Sequence, residues 1–124
     1  MSDFLTNFVE EIKNNVSGFI AVAVTEVKTG MSYKSLSVVS SFDPELASAY
    51  NLEVVKAKIT AIKALGLSET IEDIMITLSN QIHIISLSEN GEYFIYLAVD
   101  SSKANLGMTR AMLKKYSKEI ELKM

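Results

Sequence analysis

Among its 124 residues the chain has no cysteine and no tryptophan, one proline, one histidine and one arginine. Each scarcity removes a class of chemistry. Without cysteine there is no disulfide scaffold and no thiol nucleophile, and a structural zinc site loses its usual ligands. The single histidine, His83, stands between Ile82 and Ile84 with no carboxylate cluster near it in sequence. It therefore reads as a packed or surface residue rather than a metal ligand or a base. Long apolar runs are missing as well: the longest, Phe19 to Val24, falls far short of the roughly 18 residues a membrane span needs, so no membrane insertion is expected. No basic stretch precedes an apolar one at Met1-Ser2-Asp3-Phe4, which predicts a cytoplasmic protein and gives the Asn15-Val16-Ser17 sequon no role.

Charge of one sign is also in short supply. The net charge is −3, with lysines and carboxylates interspersed, which argues against nucleic-acid binding and leaves proteins or small molecules as partners. No serine sits in a G-x-S-x-G elbow and no phosphate-cradling glycine-rich run is present. The adjacent carboxylates Glu10-Glu11 and Glu72-Asp73 point apart in a helix or strand and cannot work as an acid/base pair. The residues predict no catalytic centre and no cofactor site.

What is present is a hydrophobic content of 48% against 22% charged, enough for one globular domain over residues 1–124 that buries about two thirds of its unfolded surface. Ser2 to Asn14 sets Phe4, Leu5, Phe8, Val9 and Ile12 at helical spacing. From Gly18 to Val27 the run is apolar on both alternating faces, as in a central strand, whereas the diluted run Ser32 to Val39 reads as an edge. Ile71 to Ser79 puts Ile74, Ile76 and Leu78 on one face and Asp73, Met75 and Thr77 on a partly covered one. Gln81 to Ser88 follows, then an Asn90-Gly91 hairpin signal, then the doubly apolar Tyr93 to Val99 as a second central strand. Ser101 or Ser102 is expected to cap a last helix ending near Ile120, with Leu106, Met112, Leu113, Tyr116 and Ile120 on its buried face. Helix, two strands, long helix, three strands and helix make an α+β domain: a five-stranded antiparallel sheet covered on both sides, an α/β/α sandwich.

Between the second and third strands, Pro44 to Gly66 reads as one helix carrying two apolar stripes. Asp43 fits the N-cap, Pro44 the first turn, Glu45 the dipole, and Gly66 the position past the end. At roughly 100° per residue, Leu46, Tyr50, Val54, Ala57, Ala61 and Leu65 share one arc. Leu52, Val55, Ile59 and Ile62 share another, centred roughly 150° away. A surface helix needs one stripe to pack on its own core, so the second needs another cover. In so small a domain a second copy of the chain is the natural one.

The stretch Val99-Asp100-Ser101-Ser102-Lys103-Ala104-Asn105-Leu106-Gly107-Met108-Thr109-Arg110, together with the order of elements, resembles the Roadblock (roadblock dynein light chain) family. Gly18 to Gly30, a strand ending in a glycine turn, is similar to that family's first strand, although Lys28-Thr29-Gly30-Met31 departs from the Asp-Gly that members often carry. The resemblance implies a profilin-like fold with topology α-β-β-α-β-β-β-α and sheet order 2-1-5-4-3. It further implies a homodimer or heterodimer in which third strands pair and long helices pack side by side. The candidate interface residues are then Tyr50, Val54, Val55, Ala57, Lys58, Ile59, Ala61 and Ile62 on the helix and Asp73, Met75 and Thr77 on the third strand. Asn105, Gly107 and Arg110 are the structural motif; Asn105 is expected in the first turn of the last helix, satisfying backbone groups.

Function implied by the resemblance is a non-enzymatic dimeric adaptor that docks a partner protein such as a small Ras-like GTPase. Arg110 reads two turns into a helix at the margin of its buried face, a poor place for an arginine finger. Lys103, Arg110, Lys114 and Lys118 form a loose basic stripe that reads as solvated surface, with an acidic partner as the sharper alternative. A competing reading is a small-molecule sensor, for which His83 and Tyr96 are the few polar candidates.

Overall fold

The computed structural model describes residues 2–124. The elements are α1 (Ser2–Asn15), β1 (Phe19–Glu26), β2 (Ser32–Ser37), α2 (Pro44–Ala64), β3 (Asp73–Thr77), β4 (Gln81–Leu87), β5 (Tyr93–Asp100) and α3 (Leu106–Lys123). All strand pairs are antiparallel and the sheet order is β2-β1-β5-β4-β3, so the two strands that are apolar on both faces lie inside and the diluted ones at the edges.

Strand alternation divides the core in two. Val22, Val24, Ile82, Ile84, Ile95, Leu97 and Val99 face α1 and α3, where they enclose Phe8, Val9, Ile12, Leu113 and Ile120. Phe8 meets Tyr116 edge-on with ring centroids 5.0 Å apart, and the Tyr116 hydroxyl donates to a Glu11 carboxylate oxygen at 3.2 Å, so the two helices are tied to one another as well as to the sheet. Each fully buried aliphatic or aromatic side chain here contributes on the order of 1.5–3 kcal/mol.

On the other face Leu52 and Val55 of α2 pack with Ile85, Leu87, Phe94, Tyr96 and Ala98. Register places Ala21, Ala23 and Thr25 of β1 beside Ala98, Tyr96 and Phe94 on this face. These small buried side chains let the helix approach closely. The buried hydroxyls of Ser48 and Thr25 hydrogen-bond to each other across the contact, which satisfies two polar groups that water cannot reach.

The helix ends follow the expected chemistry. Asp43 accepts from the Glu45 and Leu46 N–H groups at 3.0 and 3.1 Å. At the far end Gly66 adopts φ +68°, and the N–H groups of Gly66 and Leu67 bond back to the carbonyls of Lys63 and Ile62. Gly18, also at positive φ, lies so near the β5–α3 turn that an added Cβ would stand 3.0 Å from the Asp100 carbonyl oxygen.

Two turns differ from expectation. The cap of α3 is Asn105, whose side chain accepts from the Met108 N–H at 3.3 Å, rather than Ser101 or Ser102. Asp100 explains this: its carboxylate takes both the N–H and the hydroxyl of Ser102, at 2.9 and 2.7 Å, and holds the chain in a turn before the helix can start. Those bonds also hold the Asp100 carboxyl below its usual range. The Asn90-Gly91 hairpin is longer than two residues, because only Gly91 takes a positive φ. Asn90 instead uses its side chain, accepting from the Ser88 hydroxyl and the Glu92 N–H, so the loop closes at Ser88 and Tyr93.

Candidate functional site

The two stripes of α2 meet different environments. Leu52 and Val55 are buried and Ile59 and Ile62 half-buried against the sheet and the loop after the helix. The other stripe faces solvent: Tyr50 is 72% exposed, Leu65 68%, Leu46 55% and Val54 39%. Ala57 is exposed and Ala61 half-buried. The single chain thus covers one stripe and leaves the other bare.

Contacts along the helix fix its orientation. Glu45 accepts from the Ser35 hydroxyl of edge strand β2, Ser48 sits on β1, and Leu52 reaches Gly30 at the β1–β2 turn. Further on, Ile59 and Ile62 share a groove of about 250 Å³ with Ile71 and Leu87, beside the start of β3. The helix therefore runs obliquely from the β2 edge toward the first residues of β3. At roughly 100° per residue, Val54, Lys58 and Leu65 lie between about 140° and 180° around the helix from Glu45, so they form the flank that looks toward the β3 edge.

This oblique course leaves one corner of the sheet uncovered at the other end of β3. Ile76 and His83, paired across β3 and β4, are half-buried there, and Leu78 is exposed. Phe42, from the segment before α2, meets the His83 ring edge-on at 6.1 Å. His83 is pinned between two partners: Nε2 lies 2.8 Å from Gln81 Oε1, and Nδ1 lies 3.1 Å from the Tyr96 hydroxyl. An amide oxygen only accepts, so Nε2 carries the proton and the tyrosine donates to Nδ1. Burial lowers the His83 pKa and raises that of Tyr96. The two polar residues singled out for a sensor pocket thus come together, yet they satisfy each other, and neither lines the groove beside Ile59 and Ile62.

The third-strand candidates lie on the opposite face. Met75 packs against the α1/α3 core, Thr77 is exposed, and Asp73 makes a two-pronged pair with Arg110, at 2.8 Å to Nε and 3.2 Å to a terminal nitrogen. Donating to the Asp73 carboxylate raises the Arg110 pKa, and Lys114 reaches Glu72 at 3.4 Å. Arg110 lies at the start of the second turn of α3, about one turn nearer the helix start than expected because the cap is Asn105, and its guanidinium is bound within the chain rather than free to reach a partner. Val55 requires a correction as an interface candidate. It has no exposed surface, because the small side chains of β1 draw its stripe onto the sheet. Gly107 is exposed in the first turn of α3, with open space beside it.

Sequence reasoning missed the Gln81–His83–Tyr96 chain as a unit, and the Glu121 carboxylate that accepts from the Glu89 and Asn90 N–H groups. Alternation does place His83 and Tyr96 on one face of adjacent strands once the register is known. Nothing local marks Glu121. A second groove, of about 410 Å³, lies between β3 and α3, lined by Asp73, Arg110, Lys114 and the hydrogen-bonded hydroxyls of Ser86 and Ser117. Among the described residues no group of three His, Cys, Asp or Glu could hold a metal ion. No described helix is long and apolar enough to cross a membrane.

No family model and no curated protein matches the chain. Solved structures do. A Roadblock/LC7 domain from Streptomyces avermitilis superposes with TM-score 0.75 at 10% identity, covering 92% of this chain and 94% of that one. The gliding protein MglB from Thermus thermophilus gives 0.73 at 15% identity, with 91% and 82% covered. An MglB structure with a tetrameric arrangement gives 0.77 at 14% identity, with 94% and 85% covered. Sheet order, helix placement and these superpositions together show that the chain has the Roadblock/LC7 fold.

Proposed function

We propose that this chain is a Roadblock-family adaptor that pairs with a second copy of itself and docks a partner protein, a small Ras-like GTPase, on the composite surface. The observation that carries the reading is the bare stripe of α2 beside an unpaired edge strand β3. A two-fold axis along that edge reconciles both. Antiparallel pairing of two β3 strands sets the start of one beside the end of the other, and the C-terminal half of each α2 lies by the start of its own β3. Each helix then crosses the uncovered corner of the other copy, with the flank of Tyr50, Val54, Lys58, Ala61 and Leu65 turned toward the axis.

Ala57 and Leu46 lie farther round the helix from that flank and remain for the partner. Ile59 and Ile62 support the helix from beneath, Thr77 lies along the pairing edge, and Asp73 and Met75 stay engaged with α3 and its core. The GTPase rests on the Roadblock resemblance of Val99 to Arg110. Its effect comes from positioning the GTPase's own residues, since Arg110 is engaged with Asp73.

The test is binding to small Ras-like GTPases, each loaded with a nucleoside diphosphate or a non-hydrolysable triphosphate and followed by fluorescence anisotropy. The expected result is binding in one nucleotide state, lost in Ala61→Asp. No binding in either state would remove the GTPase from the account.

A further inference from the structure

We propose that His83 makes self-association pH-dependent: the second copy's α2 closes over the corner that holds the ring, and only the neutral ring is compatible with that cover. The inference rests on the two-fold pairing proposed above. Neighbouring strands are about 4.8 Å apart, so β4 lies about 7 Å from an axis running between two β3 strands. Packed helices are about 8–10 Å apart, which places a helix of either copy over β3 and β4. The half-buried His83 ring then loses its remaining access to water.

Everything around the ring favours its neutral form. Tyr96 donates to Nδ1, so a second ring proton would point at a hydroxyl that already points at the ring. Tyr96 has no other hydrogen-bond partner among the described residues, so turning to accept from the ring would leave its own proton unpaired. Phe42 from the preceding segment, Ile76 from β3 and Ala98 from β5 supply no charge, and Gln81 on its own strand is an amide. The flank that a second copy lays across the corner carries Lys58, a like charge. A protonated ring in the closed corner would thus be unpaired, desolvated and repelled.

The sign of the effect follows. The ring binds its proton less well in the dimer than in the monomer, so association is at full strength above the monomer's His83 pKa and weakens as pH falls below it. Two histidines must shed their protons per dimer, so the dissociation constant rises by up to about a hundredfold per pH unit in that range.

The chain's only histidine gives an unambiguous signal. Sedimentation equilibrium at about pH 7.5 and at about one pH unit below the monomer's imidazole midpoint should show the dissociation constant rising at least about tenfold in acid, and remaining level in His83→Gln. Proton NMR of wild-type protein needs no variant: the imidazole midpoint should fall as protein concentration rises through the dimerisation range. An unchanged constant in acid, an equal rise in the variant, or a midpoint independent of concentration would overturn the role of His83 and leave the dimer standing. A wild-type monomer at both pH values would remove the dimer and this inference together.

Discussion

On one face of the sheet α1 and α3 lie together, tied by the edge-on Phe8–Tyr116 contact and the Tyr116–Glu11 hydrogen bond, and the apolar side chains beneath them are closed off. On the other face α2 works alone. Its inner stripe sits on the alanines and Thr25 of β1, its outer stripe is bare, and Ile76, Leu78 and His83 are left at an open corner. The α1/α3 face is closed within one chain, whereas the α2 face leaves apolar surface uncovered, and that surface is what the proposed second copy would cover.

Substitutions on α2 break the comparison most sharply. Val55→Asp buries an unpaired carboxylate against Phe94 and Tyr96 and should cost more than about 4 kcal/mol, read as loss of cooperative thermal unfolding. Its neighbour Val54→Asp should keep the far-UV spectrum of the parent.

Truncations sharpen it. Ile12→Ala, under the closed face, should lower stability by about 2–5 kcal/mol in denaturant titration, whereas Ile76→Ala at the open corner should cost under about 1.5 kcal/mol at concentrations where the chain is monomeric. Equal losses would mean that the corner is as well packed as the core. The α2–β1 contact gives a further comparison. Ser48→Ala strands the Thr25 hydroxyl and should cost about 1–3 kcal/mol, and adding Thr25→Val should recover most of it.

Periodicity and capping made most of the fold legible. Asp43, Pro44 and Gly66 bracket α2 correctly, and the doubly apolar runs at Phe19 and Tyr93 identify the inner strands. Which stripe of α2 turns inward was not legible from the helix alone, because both are apolar. The signal lay elsewhere, in Ala21, Ala23 and Thr25 alternating on β1 and in Ser48 at the centre of the inner arc, a serine that needs a buried partner. The α3 cap was misplaced because Asp100, as a strand residue, gave no sign that it would capture Ser102. Asp73 and Arg110 are 37 positions apart, so their pairing, which removes Arg110 from consideration as a free cation, follows only from the tertiary fold.

The central claim is that a second copy covers the outer stripe of α2. Sedimentation equilibrium of the wild-type chain at micromolar concentration and neutral pH tests it most directly. A mass of about twice 13.7 kDa is expected, falling to 13.7 kDa in Val54→Asp with the fold retained. A wild-type mass of 13.7 kDa throughout that range would contradict it.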